Sequence, residues 1–189
     1  MQSPVTFFSV EEYLQLEQTS EIRHEYLGGQ VFAMSGGSKE HNRITLNIAS
    51  RLRSHLRGSS CSVFMADMKV SIELANQNKG IFYYPDVIVS CDPDDQDRFC
   101  LNYPCLIMEV LSPSTELTDR REKLVNYRTK ITLREYVLIS QDEIKVEIYR
   151  KDDEGNWLLE ILGKDDELQL TSVGLTLTMS DIYEDVFAI

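Results

Sequence analysis

The sequence lacks several features that would indicate common classes of protein. No apolar run approaches the roughly 18 residues that a membrane-spanning helix needs. The stretch from Met1 to Val10 has neither a basic start nor a long apolar core, so we expect no signal peptide. The motifs G-x-x-x-x-G-K-[ST], G-x-G-x-x-G and G-x-S-x-G are also absent, which disfavours nucleotide-binding and α/β-hydrolase folds.

Cysteine is scarce, and no two of the four cysteines form a C-x-x-C pair. Their spacings match no common pattern of zinc ligands. Three of them lie in or beside strand-like segments. We therefore expect reduced, buried thiols in a cytoplasmic protein; the cysteines are Cys61, Cys91, Cys100 and Cys105.

Basic residues are outnumbered, and the net charge of −12 argues against tight non-specific binding to nucleic acid. The charge is unevenly spread, because Arg23 to Arg57 and Asp119 to Arg134 each hold six basic and two acidic residues. These two segments predict either a phosphate-binding face or two solvated helix faces, and both interpretations stay open.

The chain does contain enough apolar residues for one packed domain over 1–189, since 42% of its residues are hydrophobic. The predicted order of helix, strands, helix, strands favours an α/β or α+β fold with a mixed central sheet flanked by helices. The C-terminal third is typical of an antiparallel meander. Helices are predicted at 10–18, 39–57 and 119–130, and strands at 30–34, 62–65, 68–74, 86–90, 106–111, 136–140, 146–150 and 157–162.

Two polar residues are predicted to cap the longer helices. Ser38 is a good N-cap for the second helix, in which Ile44, Ile48 and Leu52 form an apolar stripe. Asp119 is predicted to cap the third helix in a capping box with Glu122.

Two acidic residues interrupt runs that otherwise read as buried strands. Asp86 follows Pro85 at the start of a strand, where a ligand can reach it. Glu109 lies inside Ile-Met-Glu-Val-Leu, a run typical of a strand buried on both faces. A buried carboxylate needs a charged partner or a metal, and Mg²⁺ is commonly held by two carboxylates together with water and phosphate oxygens. The pair therefore predicts a metal site, whereas a lone structural glutamate would need a basic partner.

The third predicted helix supplies cations and an aromatic residue to the face that is turned toward the sheet. Tyr127 belongs to its apolar face, Arg120 falls in the middle of that face, and Lys123 lies at its edge. One cation could stabilise developing negative charge or position a water. The alternative for Lys123 is a salt bridge with Asp119 at i, i+4.

Two further residues have less specific patterns. Glu25 precedes the first predicted strand and is either a further metal ligand or a surface acid. His41 lies near the start of the second helix, close to its apolar stripe, where a lone histidine is usually structural.

At this point the sequence resembles the PD-(D/E)XK nuclease superfamily, and within it the Uma-two branch of restriction-endonuclease-like proteins. The resemblance covers about residues 8 to 185, and its most specific part is the run Glu-Val-Leu-Ser-Pro-Ser-Thr from Glu109 to Thr115. The other matching segments are 24–31, 38–41, 84–87, 119–123 with Tyr127, 135–137 and 146–149.

The resemblance implies a restriction-endonuclease-like core and Mg²⁺- or Mn²⁺-dependent hydrolysis of DNA, with a homodimer expected on family grounds. Asp86 and Glu109 would bind the metal, helped by the Val110 carbonyl and by Glu25 from a first helical segment. Leu111 stands where the superfamily has a lysine, and the branch implies that Lys123 replaces it. The alternative is an inactive nuclease-fold protein that binds nucleic acid or a partner protein.

Overall fold

A computed structural model of the chain describes residues 7–73, 80–113 and 115–187. Three sequence predictions extend beyond these ranges: most of the segment examined for a signal peptide, Leu74 at the end of a predicted strand, and Ser114 in the Glu-Val-Leu-Ser-Pro-Ser-Thr run. Within the described residues, no helix is long and apolar enough to cross a membrane.

The described residues form five α-helices, one π-helical segment and thirteen β-strands. The helical elements are α1 (Val10–Thr19), α2 (Lys39–His55), α3 (Glu116–Thr118), a π segment (Asp119–Lys123), α4 (Leu124–Tyr127) and α5 (Met179–Ile182). The strands are β1 (His24–Leu27), β2 (Gln30–Ala33), β3 (Ser62–Met65), β4 (Lys69–Glu73), β5 (Gly80–Tyr83), β6 (Val87–Ser90), β7 (Cys100–Leu101), β8 (Pro104–Leu111), β9 (Glu135–Ser140), β10 (Val146–Lys151), β11 (Trp157–Leu162), β12 (Glu167–Leu170) and β13 (Leu175–Thr178).

The central sheet is mixed, which confirms the predicted α+β class. Its order is β11-β10-β9-β8-β6-β3, with β8 and β9 parallel and the other neighbours antiparallel. Strands β9, β10 and β11 form the predicted antiparallel meander. Parallel pairing of β8 with β9 requires a crossover, and the helical run from α3 to α4 provides it.

A second, five-stranded sheet, with order β2-β1-β5-β4-β7, was not expected from the sequence. Strand β1 contains Glu25, so the prediction that this residue belongs to a first helical segment is wrong. The pattern is hard to read because β1 has four residues with only Tyr26 fully buried, and a short half-buried strand gives little periodicity.

Strand β8 is buried on both faces, because successive side chains point to opposite sides of the sheet. On one face Met108 and Val110 pack in a cluster with Ile44, Ile48 and Leu52 of α2. The other face belongs to a second cluster, whose members include Ile107, Leu111, Tyr127 and Tyr136. Glu109 projects toward this second face, which is the face that the helical run covers.

The two predicted caps have different outcomes. Ser38 caps α2, since its Oγ accepts a hydrogen bond from the His41 amide at 3.0 Å. The prediction for Asp119 is wrong, because the helical run begins at Glu116 and Asp119 lies inside it. The amide of Asp119 already donates to the Thr115 carbonyl at 2.9 Å, so no free helix end remains there to cap.

The prediction of four reduced thiols is also wrong, because Cys61 and Cys91 form a disulfide. Antiparallel pairing sets Ser62 opposite Ser90. This register places Cys61, which precedes Ser62, beside Cys91, which follows Ser90. Cys100 and Cys105 are free. The disulfide spans 30 residues, and a contact this distant along the chain depends on strand register, which cysteine spacing does not report.

Candidate functional site

The pairing of β6 with β8 brings the two predicted metal ligands together. Val87 lies opposite Met108, so Asp86 and Glu109 form the next pair along the ladder. The Asp86 amide donates to Glu109 Oε2 at 3.3 Å, and the Val110 amide donates to Asp86 Oδ2 at 2.7 Å. Two carboxylates therefore lie at one end of two adjacent strands, as the sequence predicted.

Lys123 reaches the same point from the π segment. Its Nζ lies 3.0 Å from Glu25 Oε1, 3.1 Å from Glu109 Oε1 and 3.1 Å from Asp119 Oδ1. The side chain is 6% exposed, so these ion pairs are largely shielded from water. Short π-helical segments occur frequently at functional sites. Both interpretations of Lys123 hold at once, because the salt bridge with Asp119 is itself part of the site.

Glu25 completes this acid cluster, which we define as Glu25, Asp86, Glu109 and Asp119 around Lys123, and Tyr127 contacts it. The hydroxyl of Tyr127 donates to Glu109 Oε1 at 3.3 Å. Glu25 Oε1 also accepts the Tyr84 amide at 3.4 Å, which ties β1 of the second sheet to the end of the central sheet.

The electrostatics of the acid cluster are dominated by an excess of negative charge. Burial raises the pKa of Glu109 well above its ordinary value, and the nearby carboxylates raise it further, although Lys123 opposes them. Burial lowers the pKa of Lys123, but Glu109, Glu25 and Asp119 outweigh this effect and raise it. Lys123 pairs with three of the four carboxylates, and a further cation or a proton would relieve the remaining excess of negative charge.

His41 contacts the acid cluster from the first turn of α2. Its Nε2 lies 3.2 Å from Asp86 Oδ2. Burial lowers the pKa of His41, but interactions with Asp86 and a hydrogen bond to the Val110 backbone outweigh it, so the pKa is raised. His41 therefore holds the carboxylate of Asp86 in place, and it is more than the isolated structural histidine that its sequence position favoured.

Arg120 is the one predicted site residue that the structure does not bring to the acid cluster. Its guanidinium pairs with Glu116 and with Glu147 of β10. Helical periodicity placed Arg120 toward the sheet correctly, but its long side chain reaches an acid of the neighbouring strand.

Leu111 occupies the position where the superfamily has lysine, and it is packed into the second apolar cluster. It shares a strand face with Glu109. Since Lys123 Nζ lies 3.1 Å from Glu109 Oε1, a cation reaches this carboxylate from the helical run instead.

The donor set fits a hard divalent cation. Among the described residues, the polar contacts of the Asp86 carboxylate all fall on Oδ2, which leaves Oδ1 available as a ligand. The described part of the chain holds no preformed group of three or more His, Cys, Asp or Glu side chains arranged around a metal. Mg²⁺ needs only one or two protein carboxylates, because it retains several of its waters. Val110, whose carbonyl is a predicted ligand, follows Glu109 in the chain, and its amide donates to Asp86 Oδ2.

Two residues near the site were missed from the sequence. Asp119 was predicted as a helix cap and as the i, i+4 salt-bridge partner of Lys123, but it was not predicted as a member of the site. Ala66 adopts a positive φ of 53°, and its amide donates to the Asp86 carbonyl at 3.2 Å. Such strained backbone often occurs at functional sites, and no sequence signal marks this alanine.

Comparisons with known proteins identify a family and a similar fold. The model of the Uma2 family, described as "Putative restriction endonuclease", matches residues 10–180. Two uncharacterized proteins of Synechocystis are similar: slr1290 is 40% identical, with 96% of this chain and 94% of the relative covered. The second, sll1609, is 33% identical, with 85% and 90% covered.

A solved structure shares the fold. It is described as a putative nuclease belonging to DUF820 from Anabaena variabilis, and it superimposes with a TM-score of 0.77. The alignment covers 95% of this chain and 99% of that one at 18% sequence identity. At this identity the likeness concerns the fold alone.

Proposed function

Because the chain belongs to the Uma2 family, described as "Putative restriction endonuclease", we propose that it is a divalent-metal-dependent endonuclease that hydrolyses phosphodiester bonds of DNA. The family and the nuclease-like structural neighbour support a nuclease. The metal, Mg²⁺ or Mn²⁺, and the choice of DNA belong to the proposal.

The observation that carries the proposal is the meeting of Asp86, Glu109 and Lys123 at one strand end. In the proposed site, Asp86 and Glu109 hold the metal, with the Val110 carbonyl and Glu25 as further ligands. When bound, the metal polarises the phosphate and lowers the pKa of a water.

The remaining residues position these groups and stabilise charge. Lys123 supplies a positive charge that stabilises the negative charge developing on the phosphate. Tyr127 fixes Glu109 through its hydrogen bond to Oε1. His41 fixes Asp86 through the contact with Oδ2, so each carboxylate has its own orienting partner.

A second candidate is a nuclease-fold protein that binds nucleic acid or a partner protein without cutting. Leu111 favours it, because the usual lysine is missing from the strand. The three ion pairs of Lys123 favour it as well, since a lysine engaged by three carboxylates has less charge to offer a phosphate.

The experiment that tests the proposal is cleavage of supercoiled plasmid with Mg²⁺ or Mn²⁺. We expect nicking by the wild type and none by Asp86→Ala or Glu109→Ala. The matched control is Glu143→Ala, because this glutamate lies in the turn between β9 and β10, its side chain is 66% accessible, and it does not line the cavity that contains Asp86 and Glu109. Absence of cleavage, with calorimetry detecting no metal binding, would favour the non-catalytic candidate.

We further propose that the chain is one domain over 1–189 and acts in the cytoplasm, and that it forms a homodimer, as the family resemblance implies. Cutting both strands of a duplex would favour two sites related by a two-fold axis. Sedimentation equilibrium at several protein concentrations tests this part of the proposal, and a monomer throughout would refute it.

A further inference from the structure

Apolar side chains surround the opening of the acid cluster. Four of them are 37% to 56% exposed. Large apolar side chains that are grouped on a surface often mark a binding site. These residues, which we call the apolar rim, are Ile22, Phe32, Met34 and Met65.

The apolar rim lines two cavities that join across Asp86. The first, of about 300 Å³, contains Phe32 and Met34 together with Asp86, Glu109 and Lys123. The second, of about 340 Å³, contains Ile22, Met34 and Met65. Both include the segment from Met34 to Gly37, together with His41, Tyr84 and Asp86. They therefore form one groove that passes directly over a proposed metal ligand.

Strand register fixes the apolar rim to the acid cluster. In the β1–β2 hairpin, Phe32 lies opposite Glu25, and paired residues of an antiparallel ladder project to the same face. The Met34 amide donates to the Arg23 carbonyl at 2.9 Å, so the pairing continues and Met34 projects beside Phe32. An exposed aromatic ring is thus held next to a glutamate that contacts Lys123.

The groove offers few cations to a phosphate backbone. Among the described residues that line it, the lysine and arginine are Lys123 and Arg23. Lys123 is engaged by three carboxylates, and Arg23 Nη2 pairs with Asp67 Oδ1 at 2.6 Å. Acids outnumber them; the lining carboxylates are Glu21, Glu25, Asp86, Glu109 and Asp119.

This combination favours a ligand that is recognised by its bases. Duplex DNA hides its base faces and binds proteins largely through phosphate contacts. A single strand exposes its base faces, and stacking on an aromatic side chain contributes about 1–3 kcal/mol per base. We propose that the groove binds single-stranded DNA, with a base stacked on Phe32 beside the acid cluster. This inference rests on the proposed nuclease function and names its substrate class.

The test measures the fluorescence anisotropy of a labelled oligonucleotide without divalent metal, as a single strand and annealed to its complement. We expect the single strand to bind at least about tenfold more tightly. Phe32→Ala should weaken that binding about 5- to 150-fold, the equivalent of one lost stacking contact. Phe32→Trp should retain it. Phe99→Ala is the matched control, since Phe99 is 60% exposed and does not line the groove.

An abasic oligonucleotide separates stacking from phosphate binding. It should bind wild type as weakly as the normal strand binds Phe32→Ala, and the loss should change little with salt. Equal or tighter binding of the duplex, or no effect of Phe32→Ala, would overturn the inference.

Plasmid cleavage keeps this inference distinct from the nuclease proposal. Cleavage of supercoiled plasmid without a preference for single strands would refute the inference and leave the nuclease proposal intact. A single-strand preference without cleavage of either the single-stranded oligonucleotide or the plasmid in Mg²⁺ or Mn²⁺ would refute the nuclease proposal and leave the groove as a binding site.

Discussion

Glu109 and Glu135 are buried glutamates on neighbouring parallel strands, yet their surroundings differ. Glu135 is 0% exposed, and its two oxygens accept hydrogen bonds from Arg150 Nε and from the amides and hydroxyls of Thr171 and Ser172. Glu109 is 3% exposed and receives bonds from Lys123, Tyr127 and the Asp86 amide.

The difference lies in the charges nearby. Glu135 has four donors from the single turn that holds Thr171 and Ser172, together with a guanidinium, so its charge is compensated. Glu109 shares one lysine with Glu25 and Asp119. Burial raises the pKa of Glu109, and the carboxylates of Asp119, Asp86 and Glu25 raise it further. Burial of an acid therefore does not distinguish a structural carboxylate from a functional one, whereas the sign of the neighbouring charges does.

Replacing each glutamate by glutamine is the most direct test of whether Glu109 is functional and Glu135 structural. Glu109→Gln should reduce plasmid cleavage about 100- to 1,000-fold, since a metal ligand and its charge are lost where the reaction develops charge. Glu135→Gln should leave the cleavage rate per folded molecule unchanged.

The measurement is the initial nicking rate in Mg²⁺, normalised to the folded fraction from circular dichroism. Equal losses for the two variants would mean that Glu109 acts through stability, and the distinction between the two acids would fall.

The free energy of unfolding should fall more when Glu135 is replaced than when Glu109 is replaced, which is the opposite order from cleavage. Glu135→Ala removes the acceptor of five hydrogen bonds and leaves their donors without a partner. It should cost about 3 kcal/mol, the lower end for breaking a buried pair, because Arg150 stays partly hydrated. Glu109→Ala without metal should cost clearly less, since it also removes repulsion among carboxylates. Urea unfolding of both variants measures the difference, and a larger loss for Glu109→Ala would contradict it.

The two glutamates also show which features of the structure could be predicted from the sequence. Glu109 was predictable as a site residue because it interrupts a run that reads as a doubly buried strand, and because Asp86 follows a proline nearby. The donors to Glu135 lie 36 and 37 residues away, and nothing in local sequence connects them.

The same limit explains the other differences. Register across β3 and β6 created the disulfide, and β1, a four-residue strand with one fully buried residue, gave almost no periodic signal. Helix faces were predictable from spacing, so Lys123 and Tyr127 were identified. The direction in which the long Arg120 side chain turns was not predictable, since it depends on Glu147 of a later strand.

Binding of metal should stabilise the fold through the acid cluster, and the surroundings of Glu135 should not contribute to this effect. At a Mg²⁺ concentration about ten times the dissociation constant, folding stability should rise about 1.4 kcal/mol. Asp86→Asn should abolish the rise, while Glu135→Gln should retain it. Thermal unfolding with and without Mg²⁺ measures both, and a similar rise in Asp86→Asn would place the ion elsewhere.

The smallest expected effect concerns the hydroxyl that orients Glu109. Tyr127→Phe removes the donor to Oε1 and keeps the buried ring, so it should cost about 1 kcal/mol of stability. Tyr183→Phe is the matched control, because Tyr183 is equally buried and its hydroxyl donates to the Lys145 carbonyl at 2.9 Å. Tyr183→Phe should lose at least as much stability, because the Tyr183 hydroxyl also accepts from the Lys145 amide at 3.1 Å. Only Tyr127→Phe should weaken Mg²⁺ binding in calorimetry, because only its hydroxyl holds a proposed ligand. Equal Mg²⁺ affinity in the two variants would show that the tyrosine supports the fold without orienting Glu109.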